Sequence, residues 1–201
     1  MDTFLRQAYL MDRLVHSLRP EGSAKPALAR RLTSHRKGDL GKAVLSGSVP
    51  RVTEFLRQGA NPNAPTVVAS DGRGKEFRGT PLMAAAAEGL TDIVTVLLSG
   101  GARVNDVDPR GWTALHCAAE EGYETICRLL LDSGADPNVR TAQSGTALMV
   151  ATLKGHAGVV KLLLERGADA SVRDSSGKSA LDLARKYGRS DVISILARRE
   201  G

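Results

Sequence analysis

The stretch DPRGWTALHCAAEEGYETICRLLLDSGADPNVR, residues 108–140, decides the fold because its pattern recurs along the chain. Gly122 and the pair Gly134-Ala135 have counterparts at intervals of 33 residues. The tripeptide Thr113-Ala114-Leu115 recurs at the same interval, as Thr80-Pro81-Leu82, Thr146-Ala147-Leu148 and Ser179-Ala180-Leu181. A fixed period with matching glycines indicates stacked helical units, each of which buries its apolar face against its neighbours.

Within this stretch the sequence predicts two short helices separated by a glycine. Thr113 can cap a first helix from about Ala114 to Glu121, since its hydroxyl accepts a hydrogen bond from an amide of the first turn. Gly122 ends that helix in a left-handed turn. A second helix is expected from about Glu124 to Asp132, ended by Gly134, and the residues that follow form a turn projecting sideways.

Three apolar positions recur in every later unit and are the predicted core. Only 3 % of the residues are aromatic, so this core must be aliphatic. An alanine position allows neighbouring helices to approach closely, and two leucine positions fill the space around it. These positions are Leu82, Leu115, Leu148 and Leu181; Ala85, Ala118, Ala151 and Ala184; and Leu97, Leu130, Leu163 and Leu196. At equivalent turns we expect a structural hydrogen-bonding role for Asn63, Asn105 and Asn138.

The segment Thr-Ala-Leu-His-Cys-Ala-Ala at residues 113–119 resembles the ankyrin signature T-P-L-H-x-A. The resemblance covers about residues 38–200. It implies an all-α ankyrin-repeat solenoid of about five stacked helix–turn–helix units with projecting β-turns. The repeats are expected at about 38–74, 75–107, 108–140, 141–173 and 174–201.

The chain departs from the family pattern at two kinds of position. Only His116 keeps the signature histidine, and Met83, Met149 and Asp182 replace it elsewhere, which predicts weaker hydrogen bonding to the capping residue. Gly79 and Gly145 each stand one place later than Gly111 and Gly177 in their units, so the turn geometry before those two repeats is left open.

The first unit is degenerate and carries an insertion. Leu40 and Ala43 match the core positions, while Val52, Phe55 and Leu56 are expected in its second helix. Nine extra residues lie within the polar, glycine-containing stretch 64–78. Such a loop is either flexible filler or a binding loop, and the sequence leaves both readings open.

Residues 1–37 are predicted to be an amphipathic helix followed by a basic linker. Phe4, Ala8, Met11, Val15 and Leu18 form an apolar stripe on one helix face. Residues 1–40 contain eight Lys or Arg against four Asp or Glu, and so carry four of the six net positive charges. Four roles stay open for the helix: a cover for the first repeat, a partner-binding helix, a mitochondrial targeting helix, or a basic arm that touches nucleic acid or membrane.

Composition and motifs argue against several functional classes. No apolar run is long enough to cross a membrane, and no secretory signal is expected. The two cysteines, Cys117 and Cys127, are expected to be free, buried thiols rather than a disulfide or metal pair. No Ser/His/Asp grouping, metal-ligand spacing or glycine-rich nucleotide loop is present, so neither catalysis nor a cofactor is expected. We expect a monomer in the cytoplasm, with the nucleus as the next compartment and the mitochondrion less favoured.

The family resemblance implies that partners dock on a concave surface made by the projecting turns and the exposed side of each first helix. Trp112 is the sharpest candidate because it is the only tryptophan and lies at a turn that the core does not need. Its alternative role is to pack locally along the neighbouring turn. The positions that match this surface are Arg110, Trp112, Glu120, Glu121, Arg140, Gln143, Leu153, Lys154, Lys178, Lys186 and Tyr187.

The function that the sequence favours is a non-catalytic protein–protein interaction module, either an adaptor or an inhibitor, that binds a protein partner. The repeats carry little net charge, which suits a protein better than a polyanion. The alternative is a nucleic-acid- or chromatin-associated regulatory factor that acts through the basic N-terminal arm. Nucleic-acid binding is the less favoured of the two.

Overall fold

The computed structural model describes residues 40–70 and 76–198 of the chain. The amphipathic helix and linker predicted for residues 1–37 lie outside the described residues. Within the described part, ten helices follow one another as five pairs. None of these helices is long and apolar enough to cross a membrane.

Each pair consists of a first helix, a tight turn and a second helix. The first helices are α1 (Leu40–Leu45), α3 (Pro81–Ala87), α5 (Ala114–Glu121), α7 (Ala147–Lys154) and α9 (Ala180–Lys186). The second helices are α2 (Val49–Arg57), α4 (Thr91–Ser99), α6 (Glu124–Asp132), α8 (Ala157–Glu165) and α10 (Ser190–Ala197). The predicted bounds of α5 and α6 are confirmed, and Gly122 between them has a φ of 78°.

The cap predicted for α5 is confirmed, and α3, α7 and α9 are capped in the same way by Thr80, Thr146 and Ser179. The Thr113 hydroxyl accepts a hydrogen bond from the His116 backbone N–H (3.4 Å), while Nδ1 of His116 accepts one from the Thr113 N–H (3.2 Å). In α9 the Asp182 carboxylate takes the place of the imidazole and accepts from the Ser179 N–H at 3.0 Å. The weaker bonding expected where histidine is replaced is therefore wrong for α9, because a charged acceptor forms the stronger hydrogen bond.

The five pairs stack in chain order. Each first helix packs on the first helices before and after it, and the second helices do the same. The recurring leucine and alanine positions predicted as the core are confirmed, since none is more than 4 % exposed. In the first pair Leu40, Ala43 and Val52 are also buried, while Phe55 and Leu56 are partly buried.

The insertion at residues 64–78 contains a β-hairpin rather than an irregular loop. Strand β1 (Thr66–Ser70) pairs antiparallel with β2 (Glu76–Gly79), and the register shifts between Val67 and Ala69. The β-branched run Thr-Val-Val at 66–68 favours a strand. Strand β1 packs against α3, so the hairpin replaces the ordinary turn before the second repeat.

The turn before α7 keeps the geometry of its neighbours although its glycine is displaced. Gly111 and Gly177 adopt left-handed φ angles of 78° and 75°. Ser144 occupies the equivalent place with a φ of 61°, and Gly145 follows it. The turn before α7 therefore keeps its geometry because Ser144 adopts the left-handed conformation in place of a glycine.

Asparagine side chains brace neighbouring repeats. Oδ1 of Asn138 accepts a hydrogen bond from the Asp169 backbone N–H (2.8 Å), and its Nδ2 donates to the carbonyl of Gly167 (3.1 Å). Asn105 makes the equivalent pair of bonds to the repeat after its own, as does Asn63. The predicted structural role of these residues is confirmed.

Candidate protein-binding surface

The turn before α5 is organised by a buried carboxylate. Asp108 is 7 % exposed, and its Oδ1 accepts hydrogen bonds from the backbone N–H groups of Arg110 (2.8 Å) and Trp112 (2.9 Å). The Asp108 N–H donates to the Trp112 carbonyl at 2.9 Å, and the left-handed Gly111 closes the loop. The turn therefore holds Arg110 and Trp112 in fixed positions.

The side chains of Arg110 and Trp112 form a contacting pair. Cζ of Arg110 lies 5.0 Å from the Trp112 ring centroid, within the range of a cation–π interaction. A second contact fixes the guanidinium, since its Nη2 lies 2.7 Å from Oδ2 of Asp108. The indole is partly buried against the core and lies 5.8 Å from the His116 ring. The expectation that the core does not need Trp112 is therefore wrong, because one part of the ring packs inward.

Backbone hydrogen bonds join the turns of successive repeats. The N–H of Ala142 donates to the Arg110 carbonyl (2.8 Å), and the N–H of Ser175 donates to the Gln143 carbonyl (3.0 Å). Nη2 of Arg140 reaches the Arg173 carbonyl at 2.7 Å. We call the turn positions of the predicted surface the turn row: Arg110, Trp112, Arg140, Gln143 and Lys178.

The other predicted residues lie at the carboxyl ends of the first helices. Nζ of Lys154 is 3.3 Å from Oε1 of Glu120 in the preceding repeat. Nζ of Lys186 lies 5.4 Å from the ring centroid of Tyr187. Ala87 and Glu88 stand at the equivalent positions of the second repeat. We call these six residues, together with Ala87 and Glu88, the helix-end row: Ala87, Glu88, Glu120, Glu121, Leu153, Lys154, Lys186 and Tyr187. An eight-residue helix such as α5 separates the two rows by about 12 Å.

Partial burial changes the acid–base behaviour of the helix-end row. Burial raises the pKa of Glu120 to about 7, the neighbouring Glu121 carboxylate acts in the same direction, and Arg110 opposes them. Burial also lowers the pKa of Lys154, with a smaller contribution from Arg189. The ion pair between Glu120 and Lys154 favours the charged form of each group and so works against both shifts.

Family models for ankyrin repeats match the stack of helix pairs. A model described as ankyrin repeats in three copies matches residues 40–141, just over half of the chain. A second, described as ankyrin repeats in many copies, matches residues 130–184. The chain belongs to the ankyrin-repeat family. The resemblance noted in the sequence and the all-α ankyrin solenoid that it implies are confirmed.

One curated protein shares part of this ankyrin sequence. Glycerophosphocholine phosphodiesterase gde1 of Schizosaccharomyces pombe is 44 % identical to the chain over 64 residues. The match takes in 32 % of this chain and only 5 % of the length of gde1, so it shows no enzymatic activity in this chain. Ankyrin repeats generally mediate protein–protein interactions and are typically non-catalytic.

The structure brings the predicted surface residues of this ankyrin stack together in pairs. Arg110 contacts Trp112 within one turn, Glu120 contacts Lys154 across two repeats, and Lys186 contacts Tyr187 within one repeat. Arg140 and Lys178 are exposed, whereas Glu121, Gln143 and Leu153 are partly buried. All eleven predicted residues lie in the described part of the chain, in the turn row or in the helix-end row.

The sequence reasoning missed a set of side chains that supports the helix-end row from the next repeat. Nε2 of His156 lies 2.9 Å from the Glu120 carbonyl oxygen, and Arg189 donates to the Leu153 carbonyl from Nε (3.0 Å) and Nη2 (2.7 Å). His156 and Arg189 stand 33 residues apart, each one place after the glycine that ends a first helix. The 33-residue spacing could have identified these two positions. Their shared role was missed because an imidazole and a guanidinium are different side chains.

The two cysteines of the ankyrin stack are buried, as expected, and are not joined to each other. Burial raises the pKa of Cys117 to about 12, with Glu120 acting in the same direction. Burial likewise raises the pKa of Cys127 to about 12. Both thiols are therefore protonated at neutral pH and are poor nucleophiles.

Proposed function

We propose that the chain is a non-catalytic protein-binding module, an adaptor or an inhibitor, whose protein partner docks on the turn row and the helix-end row. The contact between Arg110 and Trp112 carries this proposal. Arginine and tryptophan are enriched among the residues that dominate interface energies. Asp108 already fixes both residues, so little conformational entropy remains to be lost on binding. We propose further that the module acts as a monomer in the cytoplasm.

Affinity capture with the immobilised 201-residue chain tests this function. Arg110→Ala removes the guanidinium and leaves the indole in place. Arg110→Ala/Trp112→Ala removes the whole contact. The matched control is Arg128→Ala on α6, where the lost pair with Glu124 (2.9 Å) lies on a second helix. Circular dichroism establishes that each variant is folded.

The expected result is a partner that the wild type and Arg128→Ala retain and the double variant loses. Arg110→Ala alone should weaken its binding about tenfold, which corresponds to about 1.4 kcal/mol. Equal binding to all four proteins would show that the turn row is not the docking surface.

A nucleic-acid-associated factor is the second candidate because residues 1–40 carry most of the net positive charge. Deletion of residues 1–37 separates the two candidates. A partner held by the repeats stays bound to the truncated chain, whereas a polyanion is lost. Binding of a polyanion would also weaken steeply with salt.

A further inference from the structure

The charge of the helix-end row changes sign along the stack. Glu88 follows α3, and Glu120 with Glu121 ends α5. Lys154 ends α7, and Lys186 ends α9. Arg185, in the last turn of α9, is not a member of the row but adds a positive charge next to Lys186. Because α3, α5, α7 and α9 pack side by side in this order, the row has an acidic half and a basic half. The Glu120–Lys154 ion pair marks the boundary between them.

Helix stability does not account for the acids at the end of α5. The carboxyl end of a helix carries a partial negative charge, which disfavours Glu and favours Lys or Arg. Glu120 and Glu121 oppose this preference and repel each other. The repeat architecture does not require a carboxylate at this place either, since Ala87 and Leu153 occupy the positions equivalent to Glu120. The ion pair with Lys154 of the next repeat compensates the charge of Glu120. What the repeat architecture does not account for is the order of the charges along the row.

An apolar residue, Leu153, lies next to Lys154 at the boundary between the charged halves. Leu153 is partly buried at the end of α7, between Glu120 in the preceding repeat and Lys186 in the following one. Tyr187 is partly buried at the far end, where it packs against the core and contacts Lys186. The row thus runs from acidic through apolar to basic, with an aromatic ring at its end.

We propose that the helix-end row binds a peptide segment whose charges are segregated in the opposite sense, with basic residues over α3 and α5, an apolar residue at Leu153, and acidic residues over α9. This inference rests on the proposed protein-binding function and names the chemistry of the partner. Helices pack about 8–10 Å apart, so four of them span about 25–30 Å. A helical segment of about 16–20 residues covers that length. Complementary charges fix the direction in which such a segment lies.

Selection of random peptides of about 16 residues, displayed on phage, against the 201-residue chain tests the inference. The comparison protein is Glu88→Lys/Glu121→Lys/Arg185→Glu/Lys186→Glu, which reverses both halves and spares the Glu120–Lys154 pair. Two acids and two bases are exchanged, so the net charge stays at +6. The control is Asp92→Lys/Lys161→Glu, which exchanges one exposed acid and one exposed base on the second helices α4 and α8.

The wild type and the control should enrich the same peptides, with basic residues towards one end, acidic residues towards the other and an apolar residue between them. The charge-reversed protein should bind these peptides at least tenfold more weakly. Enrichment of no peptide, of peptides with unsegregated charges, or of peptides that bind the charge-reversed protein equally well would overturn the inference. If circular dichroism shows the fourfold variant to be unfolded, Arg185→Glu/Lys186→Glu should still lose the selected peptides.

The peptide selection and the capture experiment can each refute one proposal without refuting the other. A partner that depends on Arg110 but is indifferent to the charge reversal would support the proposed function and refute the charge-segregated peptide. Capture that is unaffected by Arg110→Ala and by the double variant would refute the docking surface itself.

Discussion

Ser144 has a left-handed backbone conformation, which glycine adopts at the equivalent turn positions 111 and 177. Its φ of 61° lies in the left-handed region, which costs a residue with a side chain about 1–2 kcal/mol. Glycine avoids this cost but loses more entropy on folding. Ser144→Gly should therefore raise the free energy of unfolding by about 0.5–1 kcal/mol, measured by urea denaturation.

The reverse change provides the control for Ser144→Gly. Gly177 has a φ of 75° at the equivalent turn, and a Cβ there would meet nothing within 4 Å. Gly177→Ser should lower the free energy of unfolding by a similar amount. A destabilised Ser144→Gly protein would show that the serine is not strained.

Gly122 is required for two separate reasons. Its φ is 78°, and a Cβ at this position would lie 2.6 Å from Nδ1 of His156. The imidazole cannot easily withdraw because its other nitrogen contacts the Glu120 carbonyl. Gly122→Ala should lower the free energy of unfolding by about 2–3 kcal/mol, from backbone strain together with this overlap. Urea denaturation measures the loss.

Gly167→Ala is the control that measures the backbone strain without the overlap with a side chain. Gly167 has a φ of 86° and open space around the added Cβ, so only the strain of about 1 kcal/mol applies. Equal losses for the two alanine variants would mean that the His156 ring moves aside at little cost.

The sequence predicted the structural roles of residues that recur at the same position in every repeat. It missed the roles of residues that replace them in a single repeat. The buried leucines and alanines could be identified because the same side chain fills the same space in each repeat. Ser144 was not predicted to be left-handed, since its conformation is imposed by the hydrogen bonds of the turn and not by serine itself. The partial burial of Trp112 was not predicted, because nothing in the neighbouring sequence shows that its ring comes to lie 5.8 Å from the His116 ring.

At the scale of the elements, the asparagine braces couple one helix pair to the next. Asn138→Ala removes an acceptor and a donor that cross between repeats. Each hydrogen bond contributes about 0.5–1.5 kcal/mol, so the free energy of unfolding should fall by about 2 kcal/mol. Ser176→Ala is the control, because the hydrogen bond that its hydroxyl donates to Asp174 stays within one turn. Similar small losses in the two urea-denaturation experiments would mean that the braces do not couple the repeats.

Element boundaries followed from the repeat where it is regular and not where it is interrupted. The bounds of α5 and α6 could be predicted from a threonine cap and two glycines. The hairpin of β1 and β2 could not, because the insertion has no counterpart in other repeats and its glycines suggested a loop. The two rows of the candidate surface were predicted as positions, but the contact between Glu120 and Lys154 depends on how adjacent helices pack.

At the scale of the whole molecule, the pKa values of buried His116 and of partly buried Glu120 are shifted in opposite directions. Burial lowers the pKa of His116 from 6.5 to about 4, against smaller contributions from the Gly145 backbone and Asp108. Between pH 6.5 and 4 the His116 side chain therefore binds a proton in the unfolded chain but not in the folded chain. The free energy of unfolding falls as the pH falls through this range. Glu120 behaves oppositely, because its pKa rises from 4.5 to about 7. Its contribution to stability is lost as the pH rises through that window.

Other shifted groups act outside this range. Hydrogen bonds from Ser179 lower the pKa of Asp182 below its usual 3.8, and those from Ser171 do the same for Asp169. The cysteine thiols titrate at about 12. Between about pH 4 and 7, the contributions of His116 and Glu120 to the free energy of unfolding should therefore oppose each other.

Substitution of either residue should reveal the pH dependence of stability that the other residue causes. His116→Met places at this position the residue that Met83 and Met149 provide in other repeats, and the free energy of unfolding should then fall as the pH rises from 4.5 to 7. Glu120→Gln should give the opposite slope, with stability rising between pH 4 and 6.5. Each change amounts to at most about 3 kcal/mol, since one pKa unit corresponds to about 1.4 kcal/mol. Urea denaturation at several pH values measures both slopes, and parallel curves for the two variants would contradict the opposing contributions.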